Sequence, residues 1–281
     1  MSETTASIAG RLMERFHEER PAARFEYPGS DGLLRCSVCH QPIQRRVTLW
    51  GKELTVHCVC ECRKKELEEQ KRREEEQEHL RFIQNLKASG IQEKHLLEWR
   101  FENAEDSRLI RMAKNYTENW EKAKAENLGL LLWGDVGTGK SFAAACVANA
   151  LLERGVPVLM TNFSKILNQM GAMYSEERYR YIASFSHYRL LVIDDLGIER
   201  GTEFALEQVY AVIDERYKAG LPLIITTNLT ISELRSPSDT ARARIYSRVL
   251  EMCTPVYAGG GDRREMIGRS KQESIKEVLG L

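Results

Sequence analysis

The strongest constraint on this chain is a run of eight residues, Gly134-Asp135-Val136-Gly137-Thr138-Gly139-Lys140-Ser141, which has the spacing G-x-x-x-x-G-K-[ST]. An apolar run, residues 128–134, leads into it, and residues 140–153 behind it are patterned as a helix. Such a loop works only where a buried strand feeds a helix. Its glycines let backbone N–H groups converge on phosphate oxygens, and the helix N-terminus adds its positive end. Lys140 is expected to reach the β/γ-phosphates of ATP and the Ser141 hydroxyl to ligate Mg²⁺, with Phe142 closing the cofactor-binding stretch.

The residues that follow supply the sheet such a loop requires. Segments 156–161, 190–195 and 221–228 read as buried strands, and 163–187 and 203–218 as helices, with Gly155 stopping the helix before them. Near-continuous apolar strands alternating with helices predict a parallel sheet covered on both faces, an α/β fold. The run Leu190-Leu191-Val192-Ile193-Asp194-Asp195 carries two carboxylates to a strand's C-terminal end, the edge where open α/β sheets bind ligands. Asp194 is expected to hold Mg²⁺ through water, and Asp195 to polarise the attacking water. The next strand ends in Thr226-Thr227-Asn228, where a polar side chain is placed to hydrogen-bond the γ-phosphate or that water; an Asn after a strand also commonly makes a turn.

Composition narrows the surroundings. Lys+Arg 41 balance Asp+Glu 41, which argues against a basic coat for duplex DNA and leaves only local patches for nucleic acid. Acids among the bases of the first 20 residues, and no run of 18 apolar residues anywhere, predict neither a signal peptide nor a span, hence a cytoplasmic protein with no membrane role. The segment 178–189, rich in Tyr and Arg, offers stacking and charge to single-stranded DNA; it also reads as an ordinary amphipathic helix.

Five of the seven cysteines (Cys36, Cys39, Cys58, Cys60 and Cys62) crowd into 27 residues. That clustering, odd in number and without an export signal, reads as metal binding. A C-x-x-C turn after a strand, and a second strand delivering Cys58 and its neighbours, have the spacing of a zinc ribbon. Four thiolates suffice for Zn²⁺, so one of the last three cysteines, or His57, is surplus. Cys36, Cys39 and Cys58 are the firmer ligands, with Cys60 and Cys62 competing. Cys146 and Cys253 sit in apolar surroundings and read as packing residues. Residues 68–79 contain no aliphatic or aromatic carbocyclic side chain, so this stretch can be helical through i,i+4 ion pairs but has no face to bury. The expected organisation is an N-terminal arm (1–30), a zinc module (31–64), a charged helical linker (65–95) and the nucleotide domain (96–281).

Taken together, the phosphate loop, LLVIDDLG, IITTNL, ARIYSRVLEMCTPV and GDRRE resemble the AAA+ ATPases of the bacterial helicase-loader and transposition-helper group, DnaC-like and IstB-like, over roughly residues 80–270. The resemblance implies that Asn228 is the sensor-1 residue. It makes Arg248 the arginine finger acting on a neighbouring subunit, with Arg244 competing, and Arg264 sensor 2, with Arg263 as runner-up. It also implies self-association through the AAA+ domain and leaves the adenine pocket undefined beyond Phe101 and the segment before it. Asp195 departs from the Glu common among AAA+ ATPases, and its shorter reach suggests slow, partner- or DNA-stimulated turnover. Loaders of this group join a small N-terminal partner-binding module to a C-terminal ATPase. The expected function is therefore loading or remodelling of a hexameric replicative helicase on single-stranded DNA, the helicase being gripped by the zinc module; the alternative is an IstB-like transposition helper binding target DNA.

Overall fold

The computed structural model describes residues 26–49, 51–198, 201–237, 239–262, 271–272, 275–276 and 278–279. The chain divides into two compact units at His79/Leu80.

In the first unit, strand β1 (Glu26–Pro28) pairs antiparallel with β2 (Leu34–Cys36), and β3 (Gln44–Leu49) pairs antiparallel with β4 (Lys52–His57). Gly51 turns the second hairpin at φ 74°. Among the described residues, the apolar cluster here consists of buried Cys36, Ile43 and Cys60, with Leu34, Cys39 and Cys62 packed against them. Those residues alone are too little apolar surface to fold a module by burial. Helix α1 (Glu61–Gly90) follows. Its exposed middle is laced by Lys71–Glu75, Arg72–Glu69 and Arg73–Glu69, each at 3.7 Å. Such pairs contribute roughly 0.2–0.5 kcal/mol each, which supports a helix without anchoring it.

The second unit runs through helix α2 (Arg108–Glu118), α3 (Trp120–Ala125), β5 (Gly129–Trp133), α4 (Lys140–Glu153), β6 (Val158–Asn162), α5 (Phe163–Gly171), α6 (Ser175–Ser184), β7 (Leu190–Leu196), α7 (Glu203–Ala219), β8 (Leu223–Thr227), α8 (Ile231–Arg235), α9 (Thr240–Met252) and β9 (Cys253–Tyr257). The strands form a five-stranded parallel sheet, ordered β6-β7-β8-β5-β9. Successive residues of one strand enter opposite cores. Leu190 and Val192 join the cluster under α2 and α4, while Leu191 and Ile193 join the one under α5, α7 and α9. This two-sided burial is why the strands read as unbroken apolar runs, and each fully buried Leu or Ile contributes roughly 1.5–3 kcal/mol. The expected α/β fold is borne out. Strand β9, with Pro255 inside it, was not foreseen; it sits at the sheet edge, where a residue lacking an N–H is tolerated.

Helix α4 lies deep in this unit, with Ala143, Ala144, Ala145, Cys146, Val147, Ala148, Leu151 and Leu152 all buried. A run of alanines lets the helix approach the sheet closely, which fixes where its N-terminus, and so the glycine loop, can lie.

Candidate functional site

The loop between β5 and α4 has the backbone its glycines permit. Gly137 and Gly139 adopt φ 81° and 90°, values that only glycine reaches without strain. Lys140 is buried at the first turn of α4, and its Nζ donates to the carbonyls of Gly134 (2.9 Å) and Asp135 (2.7 Å). Thr138 Oγ1 donates to the Asp135 carbonyl at 2.9 Å. The helix axis thus ends in a nest of backbone amides with an ammonium folded beside it, a donor set that fits a phosphate chain. A Cβ on Gly137 would meet the Asp262 carboxylate, a side-chain end able to swing aside, so it is the φ of 81° that calls for glycine there. Asp262 shares the sign of a phosphate and is the feature of this cradle that opposes an anion. Asp135 and Val136 are exposed on the outer turn; Phe142 points inward and packs its ring 5.6 Å from that of Trp99.

The acid pair lies at the end of β7, within the strand bounds. Burial pushes the Asp194 carboxyl up, and hydrogen bonds from Thr226 and Ser141 draw it back down. Ser141, in the first turn of α4, adds to that lowering. Asp195 follows at φ 57°, in the left-handed region, at a register slip between β7 and β8. Asn228 follows β8 directly and is exposed.

The arginines divide. On α9, Arg248 places Nη2 2.9 Å from Asp214 Oδ1, with its guanidinium carbon 4.5 Å from the Tyr210 ring centroid and 5.4 Å from that of Tyr217. Arg244 stacks on the same Tyr210 at 5.2 Å. Both expected finger positions therefore lie on one tyrosine of α7. Arg263 and Arg264 lie outside the described residues.

Two polar residues escaped the sequence reading. Arg216 on α7 is fully buried and donates to the carbonyls of Phe185 (3.1 Å), Tyr188 (2.8 Å), Arg189 (3.4 Å) and Pro222 (2.6 Å). Burial lowers its pKa to about 10. It ties α7 to the entrances of β7 and β8, the strands that carry Asp194 and Thr226. Asn149 of α4 donates to Leu96 (2.7 Å) and Trp99 (3.0 Å), fastening the segment ahead of the nucleotide core to the phosphate-loop helix. A charged or amide residue within a helix gives no sequence signal for such burial.

In the first unit the sulfurs of Cys36, Cys39, Cys60 and Cys62 lie within 4.8 Å of one another. Cys62 Sγ is 3.5 Å from Cys36, 3.3 Å from Cys60 and 3.5 Å from Cys39. Tetrahedral Zn²⁺ with thiolate ligands requires sulfurs about 3.8 Å apart, so the set fits that ion and, fully protein-ligated, leaves no open position for chemistry. The electrostatics agree. Backbone N–H groups of Cys39 and Val38 hold the Cys36 thiol down to about 6, while hydrogen bonding to Cys60 pushes Cys62 up to about 12. Four sulfurs this close ionise together only around a cation.

Cys58, a firmer choice from sequence, is a correction. Its N–H still donates to Ile43, continuing the β3–β4 hairpin, and this directs its sulfur to the Pro42 carbonyl, 3.5 Å away. The chain then turns into α1, and that turn, closed by Lys64 N–H to Cys60 carbonyl at 2.9 Å, brings Cys60 and Cys62 inward. His57 pairs instead with Gln44 at 3.3 Å.

The family described as IstB-like ATP binding protein matches residues 60–266 of the chain. The chain is 27% identical over 165 residues to the replicative helicase loader DnaI of Bacillus subtilis (strain 168), covering 54% of this chain and 50% of that protein. It is 26% identical over 173 residues to a putative ATP-binding protein in an insertion sequence of Mycobacterium tuberculosis, covering 53% and 66%. The chain thus spans half to two thirds of the length of these two relatives. Among solved structures, the crystal structure of the DnaI superposes with a TM-score of 0.50 at 24% identity, over 61% of this chain and 93% of that one, a likeness of fold.

Proposed function

This chain belongs to the IstB-like ATP binding protein family, and we propose that it is a Mg²⁺-dependent AAA+ ATPase that loads or remodels a hexameric replicative helicase on single-stranded DNA. One observation carries the ATPase half: Lys140 folds onto the carbonyls of the glycine loop at the C-terminal edge of the parallel sheet, the same edge on which β7 carries Asp194. In this reading Lys140 turns from the loop carbonyls to the β/γ-phosphates. Ser141 and Asp194 hold Mg²⁺, whose role when bound is to neutralise phosphate charge. Asp195 orients and polarises water, Asn228 hydrogen-bonds the γ-phosphate or that water, Arg248 reaches a neighbouring subunit's site, and Arg264 serves as sensor 2. The cysteine tetrad holds Zn²⁺, which supplies the folding energy of the first unit.

Similarity to the B. subtilis loader supports the helicase half, as does the small metal-binding unit ahead of the ATPase, which offers a separate surface for gripping a partner. A second reading, a transposition helper that assembles on target DNA, is favoured by the family description and the insertion-sequence relative. The purified chain mixed with its cell's replicative helicase and a single-stranded circle separates the two. ATP-dependent loading, lost in Lys140→Ala, is the expected result. ATP-dependent filaments on duplex DNA, formed without any helicase interaction, would overturn it in favour of the second.

A further inference from the structure

Strands β7 and β8 stay in register from Leu191↔Leu223 through Ile193↔Ile225, and then Leu196, not Asp195, pairs with Thr227. One extra residue has entered β7 at the acid pair. A bulge leaves a ladder amide unpaired and re-aims the side chain it carries. Here a side chain repairs it. Thr226, fully buried, accepts the Asp195 N–H on Oγ1 at 2.9 Å and donates the proton of that hydroxyl to Asp194 Oδ1 at 2.6 Å. The neighbouring Thr227 closes the far side of the slip, its hydroxyl donating to the Leu196 carbonyl at 2.7 Å and accepting from the Leu229 N–H at 3.1 Å.

We infer that Thr226 is the positioning residue of the acid pair: its one hydroxyl fixes both the rotamer of Asp194 and the bulge that aims Asp195. The inference rests on the reading of this site as a Mg²⁺-ATP site and assigns a residue that touches neither nucleotide nor ion. A hydroxyl suits the task because it donates and accepts at once, which no apolar residue of the same shape can do. Outer partners that orient a metal-holding carboxylate typically govern metal affinity about 10- to 100-fold.

The test compares the full-length chain with Thr226→Val, which keeps the shape and removes the hydroxyl, and Thr226→Ser, which keeps the hydroxyl. ATP affinity is measured by titration calorimetry with and without Mg²⁺, turnover at saturating ATP, and melting temperature alongside. Thr226→Val is expected to bind ATP without Mg²⁺ as the parent does, to lose about tenfold of the gain in affinity that Mg²⁺ confers, and to lose about 10- to 100-fold in kcat with KM little changed. Thr226→Ser should retain both within about threefold. Should valine not pack, Thr226→Ala removes the same hydroxyl without added bulk. A valine or alanine variant with the parent's Mg²⁺ gain and kcat would overturn the inference, whatever its melting temperature. So would an equal loss of affinity with and without Mg²⁺, or a serine variant as impaired as the valine. Lys140→Ala serves as the separate control: if it binds ATP like the parent, the nucleotide reading itself falls, and the role of Thr226 with it.

Discussion

The two candidate sites in this chain are held by opposite means. The cysteine tetrad sits in a unit whose buried cluster, among the described residues, is little more than Ile43 and the cysteines themselves, so under the zinc reading its geometry and its stability would depend on the same ion. The phosphate loop hangs from a sheet buried on both faces, in a unit whose two apolar clusters exist whether or not anything is bound. The contrast makes their failures separable.

The largest expected effect is on the first unit. Removing Zn²⁺ with a chelator should withdraw about 10 kcal/mol of folding free energy there. Limited proteolysis of the chelated chain should then cut within residues 26–60 while the sheet unit stays intact and keeps its melting temperature. Loss of both units together would erase the contrast, and a metal analysis finding no zinc would remove the tetrad's assigned role.

Next in size is Arg248→Ala, which should bind ATP like the parent yet lose about 10³-fold of stimulated hydrolysis, since a guanidinium stabilises charge on the transferring phosphoryl. Because Arg248 also rests on Asp214 and two tyrosines, its melting temperature should be recorded with the rate. Unchanged turnover would move the finger to Arg244 or dispense with it.

Within the sheet unit, Arg216→Leu should cost about 3 kcal/mol in urea unfolding, because it strips a donor from four carbonyls, two of them, Phe185 and Pro222, in buried contacts. A variant as stable as the parent would show that the strand entrances hold without that guanidinium.

The smallest effect sharpens the ligand set. Cys58→Ser should leave zinc stoichiometry and stability of the first unit within about 0.5 kcal/mol of the parent, while Cys60→Ser should lose the metal. The reverse outcome would restore Cys58 to the set.

Most of the sheet was legible because two-sided burial leaves a plain mark: 190–195 could be nothing but a covered strand, and the glycines before Lys140 had one chemical use. The cysteine ligands were half legible. Spacing identified a C-x-x-C turn and three later candidates, but choosing among Cys58, Cys60 and Cys62 required knowing where hairpin pairing stops and α1 starts, a matter of one residue. Arg216 and Asn149 were hidden because helical periodicity places charged and amide residues outside by default. Thr226 was visible as a polar strand end, yet its role depends on a register slip that no single strand encodes.

That slip bears on the identity of the acid at its tip. A backbone at φ 57° is readily tolerated by Gly, Asn and Asp, whereas longer side chains are disfavoured there by roughly 1–2 kcal/mol. Aspartate at 195 is thus less a shortened glutamate than the acid its peptide geometry admits. Lengthening that side chain alone would set reach against conformation, and the bulge that bends the backbone there would have to change with it.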